Sequence, residues 1–225
     1  MTKGSFITLS AVLALTIEPV TAGMSSSGLS DADTSSIKRL GVISALGDTL
    51  VGRSMGLTVF NNKTFKATLP NRDLDASFTS NMKTTIAASG KIRGEAGTLI
   101  TPALDTESIL AAAREQGFDA VVAMQPAEDT QFHMTGPGLT VFRTGGGHKS
   151  FTCNSMRIVV LRVADGKQIA AASDYQCPTF SNLPFWHDSW QEFTEEEKNA
   201  VSDAMKVFVE HQIDQTLKHL KLHAP

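Results

Sequence analysis

Cys153–Cys177 reads CNSMRIVVLRVADGKQIAAASDYQC, and this stretch decides the fold. Two apolar-rich runs, Met156–Val163 and Lys167–Asp174, flank Asp165-Gly166, the pattern of a β-hairpin. With a three-residue loop of Ala164, Asp165 and Gly166, and Gly166 in the left-handed conformation, Val163 faces Lys167. Ten residues outward on each side, Cys153 then stands opposite Cys177. A two-residue Asp-Gly loop moves the register by one and leaves the cysteines diagonal. The opposed register predicts a disulfide closing a loop of about 25 residues, which contributes about 3 kcal/mol; the alternative is two free buried thiols. No CxxC motif is present, so the pair reads as structural rather than redox-active.

An even cysteine count is read as a disulfide only where thiols oxidise, and the N-terminus supplies that setting. Lys3 opens the chain with a short basic start. Phe6–Ile17 (FITLSAVLALTI) is an apolar run, and Val20-Thr21-Ala22 ends it with small residues. This is the pattern of a secretory signal peptide over residues 1–22, too short for a membrane span of about 20 apolar residues. The signal region has no cysteine, which predicts no lipid anchor. Residues 23–36 (GMSSSGLSDADTSS) read as a flexible leader, and residues 37–225 as a single domain.

Composition excludes some partners. Loss of Lys3 and Glu18 with the signal leaves the net charge at −3. Without a basic excess to neutralise phosphates, nucleic acid is not expected as a partner. A hydrophobic content of 41% and a charged content of 19% are ordinary for a globular protein.

Outward from the hairpin, Phe118–Met124 (FDAVVAM) is a continuous apolar run of buried-strand type. Before it, Asp105 or Thr106 caps the helix ESILAAAREQ, and Gly117 closes it. Leu74, Phe78, Met82 and Ile86 recur every four residues on one helix face, with Asn71 available as cap and Gly90 as stop. Upstream, Lys38–Leu46, Thr49–Met55, Leu57–Phe60 and Thr64–Leu69 alternate with the turn signals Gly47-Asp48 and Asn61-Asn62. They predict an N-terminal antiparallel β-meander ending at Pro70. Gly94–Ile100 reads as extended. The chain closes with a long helix over roughly 195–222. Thr194 and Glu197 form its capping box, and Val201, Met205, Phe208, Ile213, Leu217 and Leu220 form its apolar stripe. The fold class is therefore α/β or α+β: one mixed sheet with two central helices and a long C-terminal helix packed on it, plus the meander.

The helix ending in Gly117-Phe118-Asp119 and running into Ala120-Val-Val-Ala-Met124, with the hairpin strand Val159–Val163 and its Ala164-Asp-Gly-Lys167 turn, resembles a compact α/β domain of bacterial envelope proteins. Examples are the curli-secretion lipoproteins, the lipoprotein activators of penicillin-binding proteins and the N-terminal domain of the Tol-system propeller protein. The resemblance covers about residues 72–223. It implies a non-catalytic assembly or partner-binding module of the envelope. The chain departs from the lipoproteins in lacking their anchoring cysteine.

Candidate chemistry is sparse. Gly52-Arg53-Ser54-Met55-Gly56 matches G-x-S-x-G, whose serine needs a strand before it and a helix after it. Here β-branched and aromatic residues follow, so a strand with glycine bends is the expectation and Ser54 as a hydrolase nucleophile the alternative. Thr144–Ser150 (TGGGHKS) lacks the glycine spacing of a Walker A loop. His133 and His148 are candidate metal ligands without the spacing that would require a metal. His219 and His223, at i and i+4, read as a solvated helix end, and His187-Asp188 lacks a nucleophile to complete a triad. The strongest candidate is aromatic. Phe180, Phe185, Trp186, Trp190 and Phe193 include both tryptophans of the chain. Such a cluster either anchors a partner or covers the core. The reading is an exported, periplasmic binding or assembly module with no cofactor. It uses the 180–193 loop and the Gly-rich 135–149 edge beside it, against the alternatives of a serine hydrolase or a metal-binding protein.

Overall fold

The structure, a computed structural model, describes residues 26–55, 62–70, 73–129, 134–142, 150–177 and 182–223. Strands β1 (Ser26–Ser27), β2 (Arg39–Ser44), β3 (Thr49–Met55), β4 (Lys63–Thr68), β5 (Glu95–Thr98), β6 (Ala120–Pro126), β7 (Glu128–Asp129), β8 (Met134–Phe142), β9 (Ser150–Arg162), β10 (Gln168–Gln176) and β11 (Asn182–Leu183) alternate with four helices. These are α1 (Asp31–Ser36), α2 (Leu74–Ser89), α3 (Thr106–Glu115) and α4 (Glu195–His219). The main path across the mixed sheet is β4-β3-β8-β9-β6-β2-β5, with β10 and β11 on the other side of β9. No helix of the described residues is long and apolar enough to cross a membrane.

The long strand β9 joins two half-sheets. Its residues 156–162 pair with β6, and its residues 150–155 pair with β8 on the same side. Strands β6 and β8 thus lie end to end in one lane. Strand β2 runs parallel to β6 and β3 runs parallel to β8, so β2 and β3 also follow one another in a single lane.

This corrects the β2–β3 step of the expected meander; its third run, Leu57–Phe60, lies outside the described residues. Gly47-Asp48 does not turn Thr49–Met55 back onto β2; β3 pairs with β4 and β8 instead. The reason lies on α2. The Asp75 carboxylate accepts from Ser44 Oγ and from the backbone N–H groups of Leu46 (3.0 Å) and Gly47 (3.1 Å), while Thr79 Oγ1 accepts from Ser44 N (2.8 Å). Backbone donors that a hairpin turn would satisfy internally are thereby held by a helix. The chain steps sideways, with Gly47 at φ +79°, and continues in the same direction.

Two cores follow from the strand alternation. Leu40, Val42, Val122, Met124, Ile158 and Val160 point to the inner face, where α2 and α4 cover them. All four α2 stripe residues and all six α4 stripe residues are buried there. Ile43, Val121, Ala123, Val159 and Leu161 point to the outer face, under Ile109, Leu110 and Ala113 of α3. Burial on both faces makes these central strands continuous apolar runs.

Local signals behave as their chemistry requires. Thr194 and Glu197 close both halves of the capping box on α4. Gly90 ends α2 at φ +62°. The cap of α2 is Asp73, whose side chain accepts from Ala76 N; Asn71 lies outside the described residues. Asp105 caps α3.

Cys153 and Cys177 are disulfide-bonded. The hairpin reaches the expected register by an unexpected route. At the turn Arg162 N donates to Lys167 O, one residue out of the Val163–Lys167 pairing, and a bulge between Gln168 and Ala170 restores it. From there the pairs run Ala171↔Val159 to Gln176↔Asn154, which aligns the two cysteines.

The residues expected as a leader belong in part to the fold. Ser26 and Ser27 pair with Ala172 and Ala171 of β10, Leu29 is fully buried, and α1 is capped by Ser30. The apolar Leu29 side chain anchors a segment whose composition alone reads as solvated. The expected signal peptide, residues 1–22, lies outside the described residues.

Candidate partner-binding corner

The 183–193 segment is built onto the sheet by its own backbone. Leu183 pairs with Ser150 of β9, and Ser150 Oγ donates to the Phe185 carbonyl (2.8 Å). A 3-10 turn, Trp190–Glu192, then hands the chain to Thr194 and α4. Phe193, 3% exposed, is the centre of the cluster. Its ring lies 6.0 Å from Phe185, 6.5 Å from Trp186, 4.8 Å from His187 and 5.0 Å from Trp190. Phe185, Trp186 and Trp190 pack on the core yet stay half-exposed.

The sequence reading missed one member. Phe65 of β4 stands 5.6 Å from Trp186, 6.2 Å from Trp190 and 6.0 Å from Phe193. Its ring lies flat over Gly52, where an added Cβ would come within 2.1 Å of it. Gly52 is the space for that ring, not part of a nucleophile turn. The available signal was the lone aromatic in Lys63–Thr68 (KTFKAT), on the opposite face from Thr64, Lys66 and Thr68. Aromatic pairs of this kind each add about 0.5–1.5 kcal/mol beyond their burial.

A polar fringe surrounds the rings. Asp188 accepts from Trp186 Nε1 (3.1 Å) and from Lys63 Nζ (2.6 Å). With Lys63 more than half exposed, that ion pair adds at most about 1 kcal/mol. His187 faces Glu197 rather than its neighbour Asp188, with Nε2 at 3.2 and 3.1 Å from the two carboxylate oxygens. The Thr194 N–H first and His187 second hold the Glu197 carboxyl below its ordinary range.

The other candidates fall apart spatially. Ser54 sits inside β3, fully buried between Lys63 of β4 and Val141 of β8. A hydrolase nucleophile needs an exposed hydroxyl, and this one has no hydrogen-bond partner among the described residues. His133, His148 and Phe180 lie outside the described residues. His223 pairs with Asp214 (2.8 Å), and no metal-ligating group of three or more occurs among the described residues. The Gly-rich edge is corrected: residues 134–142 form β8, interior between β3 and β9, and 143–149 lie outside the described residues. Because β3 pairs with β8 rather than with β2, the edge of this half-sheet among the described residues is β4.

A cleft of about 480 Å³ opens at the opposite end of the sheet, lined by Arg114, Phe118, Asp119, Arg162 and Ile169. Its charges are spent on the protein itself. Arg162 pairs with Asp33 and Asp165, and Asp119 accepts from Lys38 N and Arg39 N.

No protein-family model and no curated protein matches the chain in sequence. Among solved structures, the chain is similar to the PelC dodecamer from Paraburkholderia phytofirmans, at 15% identity and a TM-score of 0.43 over 90% of this chain and 98% of that one. It is similar also to the LpoB C-terminal domain from Salmonella enterica, at 12% identity and a TM-score of 0.33 over 63% and 83%. The lipoprotein GNA1162 from Neisseria meningitidis follows at 12%, with a TM-score of 0.30 over 77% and 99%. Likeness at this distance carries no argument about what this chain does.

Proposed function

We propose that this chain is an exported, non-catalytic binding module that holds a protein or envelope component at the corner made by residues 183–193 and β4. The observation that supports this reading is that Phe65, Phe185, Trp186 and Trp190 are only partly buried around a buried Phe193, beside a strand that is terminal among the described residues. Large rings that keep a partly exposed face on a rigid base offer contact area at small entropic cost. The Cys153–Cys177 disulfide supports export, since such bridges persist in oxidising compartments.

Trp186→Ala and Trp190→Ala test it. Capture of envelope proteins from the native source should drop at least tenfold in variants that keep the parent far-UV circular dichroism, while the melting temperature falls by the lost ring contacts. Unchanged capture, or a large fall in melting temperature with capture retained, overturns the reading in favour of core covering.

A further inference from the structure

We infer that β4 is an acceptor edge: it pairs with an extended partner segment that alternates apolar and acidic residues. This deepens the proposed function and rests on it.

The register of the β3–β4 pair identifies the groups on offer. Leu69 N donates to Asp48 O (2.9 Å), which fixes that pair as hydrogen-bonded. In an antiparallel ladder such pairs recur every second residue. Residues 67, 65 and 63 therefore turn their backbone groups toward β3. Thr64, Lys66 and Thr68 turn theirs away, and β4 is the last strand on its path among the described residues. None is proline, so three N–H and three C=O groups face outward, the row that an added strand takes up.

The side chains set the chemistry of the occupant. On the inner face, the strand presents Phe65 beside Trp186 and Trp190, a place for an apolar side chain. On the outer face it presents Lys66, for which no carboxylate partner occurs among the described residues. One strand inward on that face, opposite Thr64, Arg53 buries its Nε without an acceptor. Two cations in register favour carboxylates on the partner's outer positions. Alternation then places its apolar residues over the rings. A second copy of β4 fits poorly. The antiparallel pairing that uses all three outward residues is centred on Lys66 and sets it against its own copy, and like charges directly opposite are unfavourable.

The chain's two tryptophans both sit in this corner, so fluorescence excited selectively in tryptophan reads it alone. The probes are a synthetic peptide alternating valine and glutamate, capped at both ends, and its valine–lysine counterpart. The Val-Glu peptide should shift the emission saturably and the Val-Lys peptide should not. Lys66→Glu should exchange the two preferences. Thr64→Pro, which removes an outward N–H from an edge strand without touching the β3 ladder, should weaken Val-Glu binding at least tenfold while far-UV circular dichroism stays unchanged. Equal response to both peptides, no response to either, or full binding by Thr64→Pro overturns the proposal. So does a concentration-dependent dimer in sedimentation that Thr64→Pro dissolves, which assigns the edge to self-pairing. If the tryptophan variants lose native partners while Thr64→Pro keeps them, the corner reading stands and the edge proposal falls.

Discussion

Strand β9 passes through two environments, and its composition changes where they meet. Residues 156–162 (MRIVVLR) lie between the α3 core on one face and α4 on the other, and five of the seven are buried apolar residues. Residues 150–155 (SFTCNS) belong to the other half-sheet, whose outer face no helix of the described residues covers. Here Ser150, Thr152, Asn154 and Ser155 are buried although polar. The first region is held by area removed from water. The second buries Leu50, Leu139 and Phe193 as well, and adds specific bonds: Ser150 to the Phe185 carbonyl, Asn154 to Gln212 of α4 (2.9 Å), and the disulfide. Hydrophobic burial is non-directional, whereas such bonds fix one arrangement. A half-sheet organised by specific bonds can keep its aromatic corner half-exposed and still be rigid.

The largest expected effect lies in the apolar half. Ile158→Ala empties a fully buried site and should cost about 3 kcal/mol, measured as a lower urea midpoint at constant slope. A cost under about 1 kcal/mol breaks the contrast. The Cys153→Ala/Cys177→Ala variant should lose about 3 kcal/mol or somewhat less. The sharper result is where it loses it. Tryptophan emission should change at lower urea than far-UV circular dichroism, because the bridge fastens the strand leading to the corner. Coincident transitions would show that the halves unfold as one.

The smallest effect concerns Asp174, 6% exposed at the boundary between the halves. Its carboxylate accepts from Gln212 Nε2 (3.2 Å) and Gln176 Nε2 (2.7 Å). Burial raises its pKa above the usual 3.8 despite those bonds and the nearby His211 and His219. With the folded value above the unfolded one, the contribution to stability is fully present below pH 3.8 and is lost as pH rises through the folded value. Asp174→Asn should therefore be more stable than the parent at pH 7, the difference closing as pH falls toward 3.8. Melting curves from pH 3 to 7 check both the sign and the window.

How much was legible in the sequence follows the range of the interactions. The capping box of α4 and the fourfold recurrence along α2 are encoded within a few residues, and both formed where expected. The lane shared by β2 and β3 was not legible. Asp75, 31 residues beyond Ser44, intercepts the turn that Gly47-Asp48 otherwise signals. Phe65 escaped notice because its ring partners lie more than 120 residues away.

What this sequence determined by itself is its three long helices, its central apolar strands and the facing of its two cysteines, since periodicity and caps are local; the ordered leader, β8 and the hairpin bulge were not among them. Tertiary structure alone decided which strand became an edge and which rings gathered beside it. Both depend on donors and apolar faces supplied by distant segments, and no local pattern specifies where those segments meet.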